Sequence, residues 1–365
     1  MKQTAENILG KKSVQQESLP WTWRNQIQGS IVSVQQLSEY FPIDMEPIQT
    51  VIKKYPMRIT PYYLSLIRQM EDPFWRQSIP SMEEIENDSG CEDPLHEEHQ
   101  SPVPNLIHRY PDRVLFMVSD QCAMHCRYCM RKRRTGNPFL VTHDTIETGI
   151  AYIKNHSKIR DVILSGGDPL MLEDKKLEWI LQQVRRIRHV EIIRIHTRIP
   201  CVLPQRITRK LAEMIRRYHP VYVNTHFNHP GEITTESKTA CSLLADAGIP
   251  LGCQTVLLRG VNDSLPVMRR LMKKLIQNRV KPYYLHHPDP VRGTAHFRVS
   301  LKTGLRIIKG LHGNISGLCI PRYMIDLPQG GGKVPLQPDY VEEYNSEKLI
   351  LRNFRGSLFH YPEIL

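Results

Sequence analysis

From about residue 113 onward, short β-branched runs alternate with amphipathic stretches, and this alternation is the strongest constraint on the fold. The predicted strands are 114–118, 161–165, 190–196, 221–227, 250–257 and 282–286. The predicted helices are 143–156, 173–187, 205–218, 234–247 and 264–279. Repeated βα units form parallel sheets covered by helices, so we predict an α/β fold with an incomplete (βα)6 TIM-like barrel. A doubly wound sheet is the alternative.

The segments on either side of this pattern differ from it in composition. Residues 1–110 are predicted to form a helical N-terminal region that includes an acidic connector at 83–104. We assign this connector as a segment that wraps across the next domain, although a free loop fits its composition equally well. The barrel is assigned to 111–290. The C-terminal region, 291–365, contains a helix near 301–311, a further apolar run at 318–327 and a proline-containing tail that is predicted to be irregular.

Composition narrows the class of protein. The chain has 365 residues with 49 basic and 37 acidic side chains, a net charge of +12. This charge is spread over helical faces such as 185–188 and 269–274 without a nucleic-acid-binding motif, so we expect no nucleic-acid partner. The apolar runs are too short to span a membrane and the first residues lack a signal peptide's hydrophobic segment, so we expect a cytoplasmic protein without a membrane partner.

Three cysteines lie within eight residues, directly after the first predicted strand: Cys122, Cys126 and Cys129. The chain's 8 cysteines are too few for a disulfide scaffold, and crowded thiols indicate a metal or redox site. Thiolates on a loop that leaves a strand can converge on a soft metal or an iron–sulfur cluster. A zinc site with His125 as the fourth ligand is the alternative, although zinc motifs usually comprise two separated pairs.

Two glycine-rich segments are candidate binding sites. The first, at the end of the second predicted strand, comprises Ser165, Gly166, Gly167 and Asp168. Paired glycines let a ligand approach the backbone, whose N–H and C=O groups can bind an amino-acid moiety, although an ordinary turn has the same composition. The second is a run of three glycines before Lys333. It is either a flexible surface loop or the site of a Schiff-base lysine for pyridoxal 5′-phosphate.

The Cys-x3-Cys-x2-Cys spacing, with Tyr128 before the last cysteine, resembles that of the radical S-adenosylmethionine enzymes. Over nearly its whole length the chain also resembles the lysine 2,3-aminomutase family of these enzymes. The matching segments are 59–67, 93–97, 101–104, 108–115, 203–208, 224–230, 257–263, 282–285, 295–297 and 330–333. The resemblance implies a partial barrel of the radical S-adenosylmethionine type and three cofactors: a [4Fe–4S] cluster, S-adenosylmethionine and pyridoxal 5′-phosphate.

The resemblance also implies roles for individual residues. The three cysteines hold the cluster, whose open iron is chelated by S-adenosylmethionine. Lys333 looks like the lysine that forms the Schiff base with pyridoxal 5′-phosphate, and Arg109 and Arg113 are similar in position to the arginines that bind its phosphate. The residues implied to contact S-adenosylmethionine are Ser165, Gly166, Gly167, Asp168, His226 and Gln254.

Three further residues concern the substrate. Arg131 looks like the partner of the substrate α-carboxylate, which a guanidinium can bind through two parallel hydrogen bonds. Asp289 and Asp326 align with the paired aspartates that bind the distal ammonium of lysine, where glutamate-specific relatives carry Lys and Asn. An aspartate before proline is alternatively a turn residue, which applies to Asp289. Because a buried ammonium needs carboxylates, the predicted substrate is lysine.

The resemblance therefore implies an isomerase that interconverts L-α-lysine and L-β-lysine. A 5′-deoxyadenosyl radical is expected to start a 1,2-amino shift on the lysine aldimine of pyridoxal 5′-phosphate. The alternatives are a β-lysine-forming relative that acts in elongation factor P modification, an aminomutase for another amino acid, and a non-catalytic zinc- or nucleic-acid-binding protein. An electron donor such as flavodoxin or ferredoxin, and assembly into a homo-oligomer, are further expectations.

Overall fold

The β-branched runs of the sequence form one large sheet. The computed structural model describes residues 22–87, 89–136, 141–345 and 348–361, and nine strands within them follow one another across this sheet in chain order. Their bounds are β1 Leu106–Tyr110, β2 Arg113–Ser119, β3 Asp161–Gly166, β4 Ile192–His196, β5 Val221–Thr225, β6 Leu251–Val256, β7 Val280–His286, β8 Arg322–Leu327 and β9 Gly332–Pro335. Strands β2 to β8 pair in parallel, and β1 and β9 are antiparallel at the two ends.

This strand order confirms the predicted partial barrel. A doubly wound sheet reverses its strand order part-way across, whereas these parallel strands keep the order of the chain throughout. All six predicted strands are present, and β8 adds a seventh parallel strand among the described residues. The apolar run at 318–327 was assigned outside the barrel, and its connection from β7 is longer than those of the four units between β3 and β7.

Helices cover the sheet and precede it. Those before β1 are α1 Trp23–Gln28, α2 Val34–Ser38, α3 Met45–Lys54, α4 Pro61–Leu64, α5 Pro73–Ser78 and α6 Glu83–Glu86. Those after β2 are α7 His143–Asn155, α8 Asp174–Arg185, α9 Ile199–Val202, α10 Arg209–Arg216, α11 Thr235–Asp246, α12 Leu265–Gln277 and α13 Leu301–Leu311. Thr142 and Thr234 begin α7 and α11 with capping boxes, which satisfy N–H groups that a helix start leaves without partners.

The N-terminal helices pack directly on the barrel. The Thr60 hydroxyl donates to the Val202 carbonyl at 2.7 Å, and the Tyr63 hydroxyl donates to the Glu232 carboxylate at 2.8 Å. Thr60, Tyr63 and Glu232 are fully buried, so these hydrogen bonds form in the core rather than at the surface. The first part of the predicted helical region, residues 1–21, lies outside the described residues.

The acidic connector runs across the barrel. The Cys91 N–H donates to the Pro290 carbonyl at 2.9 Å, and the Gln329 N–H donates to the Pro94 carbonyl at 3.1 Å. The connector therefore lies between the loop after β7 and the turn between β8 and β9. This position brings its residues to the carboxyl end of the barrel.

The C-terminal tail contains a second sheet, so the prediction that it is irregular is wrong for this part. Strands β10 Val341–Tyr344, β11 Leu349–Arg352 and β12 Leu358–Tyr361 form an antiparallel meander. Each strand has 4 residues, and β10 and β12 are exposed along their length, so the tail lacks a clear buried-face pattern. No helix in the described ranges has both the length and the apolar composition of a membrane span.

Candidate active site

A cavity of about 670 Å³ lies at the carboxyl ends of the parallel strands and extends into the barrel. Every residue predicted for the site lines this cavity. These residues are Arg109, Arg113, Cys122, Cys126, Cys129, Arg131, Ser165, Gly166, Gly167, Asp168, His226, Gln254, Asp289, Asp326 and Lys333. Ligands bind at this end of a (βα) barrel because loops from successive strands converge there.

The three cysteines follow β2 on one loop, and their chemistry fits an iron–sulfur cluster. Burial, together with the charges of the other two thiols, raises the pKa of Cys122 well above its usual value, and burial raises that of Cys129. Crowded thiolates of this kind require cations beside them, which the irons of a cluster supply. Within the described parts of the chain, no group of three or more His, Cys, Asp or Glu side chains could hold a single metal ion.

His125, the alternative zinc ligand, does not line the cavity. Its Nδ1 lies 3.1 Å from the Pro56 carbonyl oxygen, and its backbone N–H donates to the Arg58 carbonyl at 2.9 Å. Burial lowers the pKa of the imidazole to about 4, so the ring is neutral. His125 therefore attaches the cysteine loop to the N-terminal region, and the geometry does not support a role with the three thiols.

A buried group of one carboxylate and two cationic side chains supports the cysteine loop. The Glu84 carboxylate accepts hydrogen bonds from Arg127 Nε at 2.9 Å and Nη2 at 2.6 Å, and its Oε2 lies 2.7 Å from Lys132 Nζ. All three side chains are almost completely buried. Arg127 stands between two of the cysteines, so this group positions the thiols. Sequence analysis missed it, although an arginine inside the cysteine motif was a visible signal.

The paired glycines lie against the chain that leads into the cysteine loop. A Cβ on Gly166 would lie 2.2 Å from the Ser119 carbonyl oxygen, and one on Gly167 would lie 2.3 Å from that of Gln121. The N–H groups of Gly167 and Asp168 donate to these two carbonyls at 2.6 and 2.7 Å. Backbone groups of this segment were expected to bind a ligand, but these two N–H groups already donate to carbonyl groups of the chain. Glycine is needed here for close backbone packing.

Asp168 has a buried carboxylate that is saturated with donors. It accepts from the Thr197 hydroxyl at 2.7 and 2.9 Å, from the Arg198 N–H at 2.7 Å and from the Leu170 N–H at 3.0 Å. Burial raises its pKa to about 6. The carboxylate thus joins the end of β3 to the turn after β4, and its contact with a ligand stays a prediction.

The side chains of Tyr128, which precedes Cys129, and of His226 contact each other. Their rings stack with centroids 5.7 Å apart, and the hydroxyl lies 2.9 Å from His226 Nε2. Burial lowers the pKa of His226 well below its usual value, so the imidazole is neutral. Gln254 lines the cavity from β6. The stacked rings offer a flat surface with the Arg198 guanidinium 5.3 Å from the centre of the Tyr128 ring, and binding of S-adenosylmethionine there stays a prediction.

Lys333 and Asp326 face each other across the hairpin formed by β8 and β9. The two residues are register partners, and the Lys333 ammonium forms a short ion pair with the buried Asp326 carboxylate. The Lys333 N–H also donates to the Tyr110 hydroxyl at 2.9 Å. Gly330 and Gly332 have φ of +80° and +88°, which the tight return of the chain requires. The lysine backbone is therefore fixed rather than free to swing.

The two arginines predicted to bind a phosphate both line the cavity. Arg109 donates to Gln100 Oε1 at 2.6 Å and to the Leu95 carbonyl at 3.1 Å, with Nη1 3.5 Å from Asp326. Arg113 donates to the Asp112 carboxylate at 2.8 Å. A primary amine and two guanidinium groups in one cavity fit the aldehyde and phosphate of pyridoxal 5′-phosphate.

Arg131 is held by a residue that sequence analysis did not assign. Its Nε and Nη2 donate to the two carboxylate oxygens of Glu97 at 2.9 and 2.7 Å. Glu97 belongs to the acidic connector, and its carboxylate is buried. The fork predicted to bind a substrate carboxylate thus already binds a carboxylate of the chain. Glu97 lies in the segment 93–97, which matches the family, and this match was the available signal in the sequence.

Asp289 and Asp326 line one cavity, as predicted for a diamino-acid site. Burial, and then the negative charge of Asp326, raise the pKa of Asp289 to about 7, while the Lys333 cation opposes the shift. Asp326 is paired with Lys333 and Arg109. The site therefore holds one carboxylate that already binds an ammonium and a second that is half-ionised near neutral pH.

Arg198 is a further cavity residue, and sequence analysis did not assign it to the site. Its Nη1 lies 2.8 Å from the Sγ atom of Cys126. The available signal was its position at the same end of the barrel as the cysteines, two residues after β4.

Two family models match the chain. The model described as Radical SAM superfamily matches residues 116–271, and the model described as Lysine-2,3-aminomutase matches residues 308–364. The L-lysine 2,3-aminomutase of Acetoanaerobium sticklandii is 50% identical over 348 residues, which cover 93% of this chain and 84% of that protein. That of Fusobacterium nucleatum is 49% identical, with 94% and 82% covered. The glutamate 2,3-aminomutase of Clostridioides difficile is 43% identical, with 92% and 82% covered.

Proposed function

Because the chain belongs to the lysine 2,3-aminomutase family of radical S-adenosylmethionine enzymes, we propose that it interconverts L-α-lysine and L-β-lysine. The family uses a [4Fe–4S] cluster, S-adenosylmethionine and pyridoxal 5′-phosphate. When bound, these groups supply a carbon-centred radical and an electrophilic aldehyde with a ring that delocalises unpaired electron density. The chain binds and orients them, and it excludes water from the cavity.

The observation that carries the substrate assignment is the pair of aspartates in the cavity. Asp326 already binds the ammonium of Lys333, which has the same functional group as the distal end of a lysine substrate. Lys333 would hold the aldehyde of pyridoxal 5′-phosphate through its side-chain nitrogen, and Asp326 would then be available to the ammonium of a substrate. Asp289 adds a second carboxylate nearby. A substrate with a distal carboxylate, such as glutamate, would be repelled by both.

Neutral imidazoles support the same assignment. Burial, with the nearby Lys333 cation, lowers the pKa of His286 well below its usual value, and burial lowers that of His196 to about 3. Both rings line the cavity without adding a positive charge near neutral pH. The two imidazoles therefore add no positive charge beside the carboxylates that would bind the substrate ammonium.

We assign the binding of the substrate α-carboxylate, at the end opposite the distal ammonium, to Arg131. Its Nε and Nη2 donate to Glu97, so an incoming α-carboxylate would use the remaining N–H groups. The connector lines the cavity through Leu95 and Glu97. Arg131 would thus bind the substrate while Glu97 keeps the guanidinium in its orientation.

The test is anaerobic reconstitution of the chain with iron and sulfide, followed by incubation with lysine, S-adenosylmethionine, pyridoxal 5′-phosphate and a reductant. We expect β-lysine, with glutamate unchanged in a parallel reaction, and chiral analysis of the product gives its configuration. Absence of β-lysine from a fully loaded chain would refute the proposal.

Two cysteine variants control this test. Cys122→Ala should abolish the product, because it removes a proposed cluster ligand. Cys241→Ala should leave the product unchanged, because Cys241 is buried in the core and does not line the cavity.

A further inference from the structure

Arg198 follows β4 and reaches the cysteine loop. Its Nη1 lies 2.8 Å from Cys126 Sγ, and the side chain is 9% exposed. We propose that Arg198 raises the reduction potential of the cluster by donating a hydrogen bond and presenting a cation to the Cys126 sulfur, and that Glu232 partly offsets this charge. The proposal depends on the cluster ligation in the proposed function, but not on the aminomutase reaction.

The guanidinium is held in place from several directions. Its Nη2 donates to Gln77 Oε1 and Glu232 Oε1, both at 2.9 Å, and lies 3.4 Å from the Tyr63 hydroxyl oxygen. The Arg198 backbone N–H donates to the saturated carboxylate of Asp168 at 2.7 Å. These partners come from the N-terminal region, the turn after β3 and the turn after β5. The Arg198 fork is therefore fixed before any ligand binds.

Glu232 is the counter-ion of this arrangement. Its side chain is completely buried and also accepts hydrogen bonds from the Asn228 and His229 N–H groups at 2.6 and 3.0 Å. The carboxylate contacts the guanidinium on Nη2, whereas Cys126 contacts Nη1. The cation is thus closer to the sulfur than the anion is. Its field at the sulfur is reduced by Glu232 but not cancelled.

The direction of the effect follows from charge. Reduction adds one electron, supplied by an external one-electron reductant, and the added negative charge is shared by iron and sulfur. A donor and a cation at a ligand sulfur stabilise the reduced state more than the oxidised state. Removing the Arg198 charge should therefore lower the potential. Removing the Glu232 charge should raise it, because the cation loses its counter-ion.

The experiment measures the midpoint potential of the reconstituted full-length chain by titration with a one-electron reductant, monitored by electron paramagnetic resonance. The first titration omits S-adenosylmethionine, pyridoxal 5′-phosphate and lysine, so failure of the aminomutase assignment does not affect the result, and a second titration adds S-adenosylmethionine alone. The variants are Arg198→Gln and Glu232→Gln, with iron and sulfide counted in each. Arg206→Gln is the matched control, because Arg206 is also a buried guanidinium and does not line the cavity.

We expect Arg198→Gln to lower the equilibrium constant for reduction at least tenfold, a shift of about 59 mV for one electron. Glu232→Gln should shift the potential upward by a smaller amount, and Arg206→Gln should leave it unchanged. Opposite signs in two neighbouring variants distinguish charge from general structural damage.

Three results would overturn the proposal. The first is an unchanged potential in an Arg198→Gln chain with a full cluster. The second is a shift of that variant that occurs only after S-adenosylmethionine is added, which would assign Arg198 to ligand binding. The third is a lower or unchanged potential in Glu232→Gln, and this result decides the matter if Arg198→Gln fails to retain its iron.

Discussion

Replacing Glu84 by Gln should destabilise the fold strongly. The substitution keeps the shape of the side chain but removes the anion that Arg127 and Lys132 share at 2.6 and 2.7 Å. Both cations stay buried, and each is left with uncharged acceptors such as backbone carbonyls. Breaking a buried ion pair by removing one partner costs about 3–5 kcal/mol. We expect a loss of this size in the free energy of unfolding.

The assay is urea unfolding at pH 7, followed by tryptophan fluorescence. The matched control is Glu191→Gln, which breaks an Arg160 pair of similar geometry on an exposed surface and should leave the unfolding midpoint unchanged. Iron content after reconstitution should also fall in Glu84→Gln, because Arg127 positions the cysteine loop. Equal unfolding midpoints in the wild type and Glu84→Gln would refute this reasoning.

The pH dependence gives a second check on Glu84. Burial raises its pKa, but the charges of Arg127 and Lys132 outweigh burial and hold the pKa below its usual value. A depressed carboxyl pKa contributes stability above the unfolded-state pKa, and this stability is lost as the pH falls through the folded-state pKa. The difference between the wild type and Glu84→Gln should therefore shrink in acid. A constant difference down to that pH would contradict the assignment of the stability to the charge.

Three further predictions concern the cavity. Asp326→Asn should lower kcat/KM for lysine roughly 10- to 150-fold, because losing a hydrogen bond to a charged group costs about 1.5–3 kcal/mol. An unchanged kcat/KM in steady-state assays would contradict this prediction. Because the pKa of Asp289 is raised to about 7, kcat/KM should rise with pH through that value as the carboxylate ionises, and Asp289→Asn should remove this step from the pH profile. Lys333→Ala should lose the absorbance of bound pyridoxal 5′-phosphate together with activity, and retention of both would refute its role.

The alternation of strands and helices was enough to predict the order of the barrel. Within each unit, β-branched runs, caps and helix lengths agree with one another, so local preference and global fold coincide. Strand β8 was assigned outside the barrel, and its connection from β7 is longer than those of the four units between β3 and β7. The C-terminal meander was missed because its strands are short and exposed, which leaves no periodic pattern to detect.

The chemistry of the cavity was visible in residue types, but the partners were not. The spacing of the cysteines predicted a thiol site, the family resemblance implied the roles of a lysine and two aspartates, and the structure brings these residues to one cavity. The sequence did not predict that Arg131 binds Glu97 or that Asp326 binds Lys333. Positions of strand ends indicate which residues converge, whereas hydrogen-bond partners depend on the direction of each side chain.

The sequence by itself thus determined the fold class and the kinds of ligand, because backbone periodicity and the spacing of Cys122, Cys126 and Cys129 are local properties. Only the tertiary structure decided which charges meet. Arg198 and Cys126 are separated by 72 positions, and Arg109 and Asp326 by 217. Contacts over such separations depend on how the loops converge and on which groups burial deprives of water. Those energies arise only when the chain is folded.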